Sequence, residues 1–291
     1  MKLEGKKAII AGGSGGIGHN ITRCFLENGA TVIACGRSFK TLIDTQTQLS
    51  HIAPSLYTYS MDVSEIQHVD AFFNWYQNAF DSLDILINCA GIQMPIGKTW
   101  EVDPRDWLYN LQVNLFGTFN MASKAIPIML DFGKGKIINF SGGGATSPRP
   151  NFSAYASSKA GVVRFTETLA HELKGKNIDV NAIAPGAVNT RMLSEVIQAG
   201  REQVGKREYE DALKRQQEGG APPDLAAELA LFLASDESDG ITGRLISAIW
   251  DNWHSLTEKI NAIQESPLYT LRRIDNKYFH ESRRFQEMKS D

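Results

Sequence analysis

The stretch Gly12-Gly13-Ser14-Gly15-Gly16-Ile17-Gly18, set between the apolar run Ala8 to Ala11 and an amphipathic stretch, constrains this chain more than any other segment. Glycine permits dihedral angles closed to other residues and lets the backbone approach a ligand with no side chain in the way. A helix starting here presents free N–H groups and the positive end of its dipole, which suits a pyrophosphate. Any tight turn can be glycine-rich, but a position after the first strand and before a helix favours phosphate binding. Gly12, Ser14, Gly16, Ile17 and Gly18 are therefore expected to line a dinucleotide site.

The rest of the chain repeats the same rhythm. Short apolar runs at 8–11, 31–34, 56–60, 83–87, 136–140, 179–183 and 244–249 alternate with helix-like stretches at 16–27, 39–50, 65–80, 103–130, 154–174 and 224–234. That alternation predicts an α/β fold: a Rossmann-type, doubly wound parallel sheet of about seven strands with helices on both faces. No repeat or flexible linker divides the 291 residues, so one domain over 1–250 is expected, followed by an extension over 251–291. The charged segment 193–221 reads either as a solvated helical pair or as a lid over a site. The tail carries Tyr269-Thr270-Leu271-Arg272-Arg273 and Arg283-Arg284-Phe285, which read as a solvated charged face.

Composition excludes several classes of function. A net charge of −3 gives no general attraction to nucleic acid or to anionic membranes. No apolar run reaches the roughly 18 residues of a membrane span. Met1 to Gly5 lacks the layout of a secretory signal. The three cysteines, Cys24, Cys35 and Cys89, fit reduced thiols in a cytoplasmic protein better than a disulfide or a metal site.

Two further patterns carry chemistry. The second strand ends Cys35-Gly36-Arg37-Ser38, with no acidic residue to receive ribose hydroxyls. Arg37 offers a fixed charge able to fork onto a 2′-phosphate, so NADP(H) is preferred, NAD(H) is the alternative, and a surface arginine without that role is the bland reading. Tyr155 and Lys159 stand four apart at a helix start, on one face. A phenol titrates near 10, and a neighbouring ammonium together with a positive nicotinamide would draw it toward working pH.

With these motifs the chain resembles the short-chain dehydrogenase/reductase family over about residues 5–250. The spacing Gly12-x3-Gly16-x-Gly18 is that family's cofactor fingerprint, with Ala11 where a loop-bracing threonine is usual. The resemblance implies that Asp62 and Val63 contact adenine, although Asp62 also suits a helix N-cap. It implies that Asn88, Ala90 and Gly91 pass close to the cofactor ribose, Cys89 standing where a second asparagine is usual. Asn114 would anchor a water leading to Lys159. Pro185, Gly186, Val188 and Thr190 would pack against the nicotinamide and a phosphate. Tyr155 would donate or accept the substrate proton, and Lys159 would hold the ribose.

One position departs from the family. Its catalytic serine lies thirteen residues before the tyrosine; counting back from Tyr155 gives Gly142, and the adjacent Ser141 should face the other way. Loss of one oxyanion donor costs about 10²–10³ in rate. Gly142 and Gly143 expose backbone N–H groups, and Arg149 and Arg191 follow in facing loops, so an anionic or sugar-derived substrate is one reading. A loop with two solvent-facing arginines is the other. Hydride transfer between nicotinamide and a carbonyl or alcohol is the expected activity. A weakly catalytic dinucleotide-binding sensor or assembly protein and a cofactor-retaining epimerase or lyase are the alternatives. Family members are often homodimers or homotetramers; the expected partner is a small molecule.

Overall fold

The fold is that of a computed structural model, which describes residues 1–52 and 55–275. Its strands are β1 (Lys7–Ala11), β2 (Thr31–Gly36), β3 (Leu56–Ser60), β4 (Ile85–Asn88), β5 (Gly135–Phe140), β6 (Ile178–Ala184) and β7 (Leu245–Ser247). They form one sheet in the order β3-β2-β1-β4-β5-β6-β7, and every pairing is parallel. The strands read as continuous apolar runs because both faces are covered. Ile9 and Ile10 are both fully buried, yet they serve opposite cores. Ile10 packs with Phe25 of α1 (Gly16–Glu27) and with Leu229 and Leu233 of α9 (Pro223–Ala234). Ile9 packs with Phe72 of α3 (Ile66–Ala79) and with Met121 and Met129 of α5 (Gly117–Phe132). Each such buried side chain contributes about 1.5–3 kcal/mol of transfer free energy.

The strand order reverses between β1 and β4. In an open parallel sheet the crevice beyond the carboxyl ends of the strands at that reversal is where ligands bind. The turn after β1 and the loop after β4 both end there.

Three segments differ in detail from the sequence expectation. The helix expected over 103–130 is α4 (Pro104–Leu111), a π-helical turn (Gln112–Phe116) and then α5. The wide turn has a local cause. Asn114, inside it, accepts from the Ile92 N–H at 2.8 Å and donates to the Ile92 carbonyl at 2.8 Å, so its side chain binds the loop after β4 as a strand would. Segment 193–221 is the helical pair: α7 (Arg191–Val204), interrupted at Gly200, and α8 (Lys206–Glu218). The segment after β7 packs on the domain as far as it is described. The Leu245 N–H donates to the Tyr269 carbonyl at 2.7 Å, and the Arg244 guanidinium donates to the carbonyls of Ser266 and Leu268 at 2.9 Å each. Buried Glu167 of α6 (Ser153–Glu172) accepts from the Leu271 N–H at 2.6 Å and from Arg272 at 2.8 Å. Arg272 and Arg273 stay exposed, as a solvated charged face would be, while Arg272 also ties this segment to α6; Arg283-Arg284-Phe285 lies outside the described residues.

Candidate active site

The glycine turn closes onto the sheet as its sequence requires. The Gly12 and Gly13 N–H groups both donate to the Cys35 carbonyl, at 2.8 and 3.1 Å, which ties the turn to β2. A Cβ on Gly18 would run into the Gly12 carbonyl, lying 2.8 Å from its carbon, so only glycine lets α1 start this close to β1. No side chain caps α1, which leaves its first N–H groups at an open mouth where Gly15 has nothing within 4 Å. An uncapped helix start inside a glycine cradle fits the pyrophosphate of a nicotinamide dinucleotide. Ser14 lies at 3.1 Å from the Thr41 hydroxyl, Ile17 is half-buried, and Thr190 lies against Gly16: its Cγ2 would be 2.9 Å from a Cβ there.

Beyond the ends of β2 and β3, where an adenine is expected, a cavity of about 240 Å³ is lined by Arg37, Tyr59, Ser60, Met61, Asp62, His68 and Ala71. Arg37 is exposed and held at its rim, donating to the Tyr109 hydroxyl at 2.6 Å and lying 3.6 Å from Asp62. Asp62 is not the N-cap of α3, which is Glu65; instead one of its carboxylate oxygens accepts from the Ser64 N–H at 2.9 Å and hydroxyl at 2.6 Å, organising the turn before α3, and the residue lines the cavity. Val63 is buried and gives its carbonyl to Asn120 at 2.9 Å, so its side chain packs in the core beside the cavity.

The loop after β4 has Ala90 and Gly91 at the crevice, packed on the turn and on Asn114: a Cβ on Gly12 would lie 2.7 Å from the Ala90 nitrogen. Asn88 does not face it; buried, it donates to Asn139 of β5 at 2.9 Å. Asn114 is completely buried, donating to Asn110 at 2.8 Å and Ser158 at 2.9 Å besides its grip on Ile92.

Tyr155 and Lys159 lie one turn apart on α6, at the carboxyl end of β5. The Lys159 ammonium is 5.8 Å from the Tyr155 ring centre and donates to the Phe140 carbonyl at 2.8 Å. Burial draws Lys159 down to about 8. Burial also raises the Tyr155 phenol above its usual value, the Arg149 guanidinium pulling the other way. The depression expected from the lysine alone is thus not what this arrangement produces, because both groups lose hydration and the ammonium turns to a backbone carbonyl. Gly142 faces the phenol directly: a Cβ there would be 2.9 Å from Cζ and 3.0 Å from Cε1, and closer still to the hydroxyl. Ser141 is buried away from it, with a hydroxyl that has no partner. Gly143 is exposed, with Arg149 lying 3.8 Å from the position of a Cβ.

The two arginines differ. Arg149 reaches the site, its guanidinium 3.7 Å from the Phe152 ring centre and 5.7 Å from that of Tyr155, but it donates to Glu208 of α8 at 2.6 Å. Arg191 is largely exposed and pairs with Glu195 at 3.1 Å. Pro185 is buried behind the crevice, Gly186 packs on Ile249, and Val188 is half-buried. Over the phenol lies an apolar wall of Ile96, Phe152, Val196 and Val204, with Leu193 and Ile197 against it.

Sequence reasoning missed several supports. Thr22 donates to the Gly13 carbonyl at 2.9 Å and braces the glycine turn. Asn110 donates to the carbonyls of Ile92 and Met94 at 3.1 and 2.7 Å, and Gln93 donates to the Met192 carbonyl. Only Asn110 left a signal, one helical turn before Asn114 on the same face. Among the described residues no cluster of histidine, cysteine or carboxylate suits a metal, the three thiols are free, and no helix is long and apolar enough to cross a membrane.

This geometry agrees with comparisons to known proteins. Residues 6–200 match the family model described as short chain dehydrogenase. The 3-oxoacyl-[acyl-carrier-protein] reductase FabG of Thermotoga maritima is 34% identical, over 84% of this chain and 97% of that enzyme. The 3beta-hydroxysteroid dehydrogenase 1 of Eggerthella lenta is 36% identical, over 83% and 91%. A crystal structure of an actinorhodin polyketide ketoreductase variant with NADPH superposes with a TM-score of 0.77 at 26% identity, covering 84% of this chain and 95% of that one. The chain belongs to the short-chain dehydrogenase family. It is an NAD(P)-dependent oxidoreductase with a single Rossmann-like domain.

Proposed function

We propose that this enzyme is an NADP(H)-dependent carbonyl reductase acting on an apolar ketone and its alcohol, with Tyr155 exchanging the substrate proton. The carrying observation is the phenol of Tyr155, which has Gly142 against its hydroxyl and Lys159 one turn behind it, under an apolar wall. NADP(H) is favoured by Arg37 at the rim of the adenine cavity and by the absence of a carboxylate at the tip of β2. Two of the similar proteins are named for ketone reduction, and one was solved with NADPH. An apolar substrate is favoured over an anionic one because both arginines near the crevice already have carboxylate partners.

When bound, the dinucleotide supplies the hydride. The chain's own residues do the rest. With the dinucleotide bound, the turn Gly12–Gly18 and Thr190 would hold the phosphates, and Asp62 and Val63 would lie toward the adenine. Ala90, Gly91 and Lys159 would hold the nicotinamide ribose, and Pro185, Gly186 and Val188 would back the ring. Asn114 fixes the loop after β4 and, with Ser158, the face of α6 that carries Lys159. Tyr155 gives its proton to the carbonyl oxygen in reduction and takes it back in oxidation. The N–H groups of Gly142 and Gly143 are the backbone donors we assign to the substrate oxygen in place of a serine hydroxyl.

The test is Tyr155→Phe, assayed with NADPH and a panel of apolar ketones. Turnover should fall about 10²–10⁴-fold, with NADPH affinity nearly unchanged. Full turnover in this variant would refute the assignment; dinucleotide binding with no turnover in the parent enzyme would favour the sensor. We also propose self-association of two copies through the α4–α5 face, where Leu108, Phe116 and Phe119 are exposed and line an apolar groove with Leu111, Leu115 and Phe165.

A further inference from the structure

β7 ends the sheet, with β6 on one side and no strand on the other. Its inward groups serve β6: the Arg244 carbonyl accepts from the Ala182 N–H at 2.7 Å, and the Ala248 N–H donates to the Ala184 carbonyl at 3.0 Å. Backbone groups alternate in direction along a strand, so the N–H groups of Leu245 and Ser247 point out of the sheet. Such a row on an edge strand is a template for a strand of another chain. Here both donors are taken within the chain. The Leu245 N–H meets the Tyr269 carbonyl at 2.7 Å, and the Ser247 N–H meets the Asp251 carboxylate at 2.6 Å. The segment that brings Tyr269 is anchored on both sides. Before it, the buried Arg244 guanidinium holds the Ser266 and Leu268 carbonyls. After it, α6 grips the Leu271 peptide: Glu167 accepts from its N–H at 2.6 Å and Arg164 donates to its carbonyl at 2.5 Å. Tyr269 itself has a φ of 60°, a conformation that residues other than glycine keep only where their surroundings impose it.

We propose that residues 266–272 are a cap on the edge of β7, and that the cap keeps this edge from pairing with β7 of a second copy of the chain. A second copy is the partner the edge fits. Antiparallel pairing about a two-fold axis sets the three residues of β7 against the same three and joins two seven-stranded sheets. The cap wins because it is tethered: a linked segment meets its site at an effective concentration in the millimolar range, on the order of a thousandfold above a dilute second copy. Glu167 is its main anchor. The carboxylate is almost fully buried and accepts from both the Leu271 N–H and Arg272, so losing it frees the segment where it leaves β7. The cap rests neither on the role of Tyr155 nor on the α4–α5 face.

The test measures amide exchange at Leu245 and mass by sedimentation for the full-length parent, Glu167→Ala and Arg272→Ala, at low and at high protein concentration. In dilute solution the Leu245 amide should exchange faster on the order of tenfold to a hundredfold in Glu167→Ala, and about threefold in Arg272→Ala, which removes one partly exposed bond. Exchange in β1 and β4 should stay at the parent rate, which separates release of the cap from general loosening. In concentrated solution the mass of Glu167→Ala should approach double that of the parent at the same concentration, whatever state the parent itself adopts. The Leu245 amide should then be protected again, because a second β7 has taken the place of Tyr269. Arg272→Ala leaves the buried carboxylate in place and shows the same two effects on a smaller scale, so it carries the test if Glu167→Ala does not fold. Faster Leu245 exchange with the parent's mass at every concentration would overturn the proposal, since a bared edge would then recruit no second copy. A doubled mass with Leu245 still exchanging fast would place the contact on another surface and overturn it equally. Parent-like exchange at Leu245 in both variants would show that these anchors hold no cap.

Discussion

A serine restored at position 142 should damage this enzyme. The family resemblance argues the opposite, because a hydroxyl at that place usually meets the substrate oxygen. The packing decides the sign. A Cβ on Gly142 would lie 2.9 Å from Cζ and 3.0 Å from Cε1 of Tyr155. Carbon atoms settle at about 3.5–4.0 Å, so the ring or the loop must retreat by roughly 0.5–1 Å. The ring has little room: Tyr155 is 7% exposed, is packed with Phe152 and Val196, and has the Arg149 guanidinium 5.7 Å from its centre. Overpacking of this kind costs about 1–3 kcal/mol of stability. A displacement near 1 Å at the proton donor costs on the order of 10² in rate. Gly142→Ser and Gly142→Ala should therefore both lower kcat by ten- to a hundredfold and lower Tm by several degrees, with NADPH affinity kept. Stopped assays on the best ketone from a reduction panel, together with thermal unfolding, measure both. A gain in kcat/KM for the serine variant with a loss for alanine would refute the reasoning, since it would show that the hydroxyl outweighs the crowding.

Three other outcomes follow from the same geometry. Burial brings Lys159 down to about 8 in the fold, whereas in the unfolded chain it stays near the usual lysine value of 10.5. Below pH 8 the folded state holds a proton against burial, and between those values the unfolded state binds more protons, so this residue makes stability rise with pH across that window. The gain is on the order of 3 kcal/mol. The buried thiols Cys24, Cys35 and Cys89, raised by burial, lower stability over the same window in any variant. Chemical denaturation at pH 7.5 and 10 should therefore show the lysine's gain as a difference between the parent and Lys159→Met; an equal pH slope in both would refute it. Arg37→Glu should weaken NADPH binding about tenfold to a hundredfold and leave NADH binding nearly unchanged, as read by fluorescence titration. Phe119→Glu should shift sedimentation toward a single copy if the α4–α5 face joins two chains, and an unchanged profile would remove that face from consideration.

The sheet and its crevice were legible because they are written in local patterns. Each strand is a short apolar run next to its own turn, and the turn after β1 carries its glycines in seven consecutive residues. Tyr155 and Lys159 are likewise four apart, so helix geometry alone puts them together. The readings that shifted depend on partners far away in sequence. Asn88 is held by Asn139 of β5, fifty-one residues later, a contact that no local pattern announces. Asn114 looked like a residue in a plain helix, and only its two bonds to Ile92, twenty-two residues earlier, open the π-helical turn. Arg272 is solvated as its charge suggested, but its tie to Glu167, 105 residues away, could not be seen for the same reason.

The charge argument for the substrate shows the physical limit of reading arginines from sequence. Arg149 and Arg191 suggested an anion because a cation near a site is counted before its partner is known. Glu208 and Glu195 answer them in the fold, one across 59 residues and one across a single helical turn. A paired guanidinium has already exchanged part of its hydration for a carboxylate, so a substrate anion would have to displace that carboxylate before it gained anything. The same pairing ties the loop after β5 to α8, with the Arg149 guanidinium resting on the Phe152 ring. The vacancy of side-chain atoms at Gly142 then makes sense beside it. The phenol fills the space that a side chain at 142 would need, and Val196 and Val204 of α7 pack in the same cluster.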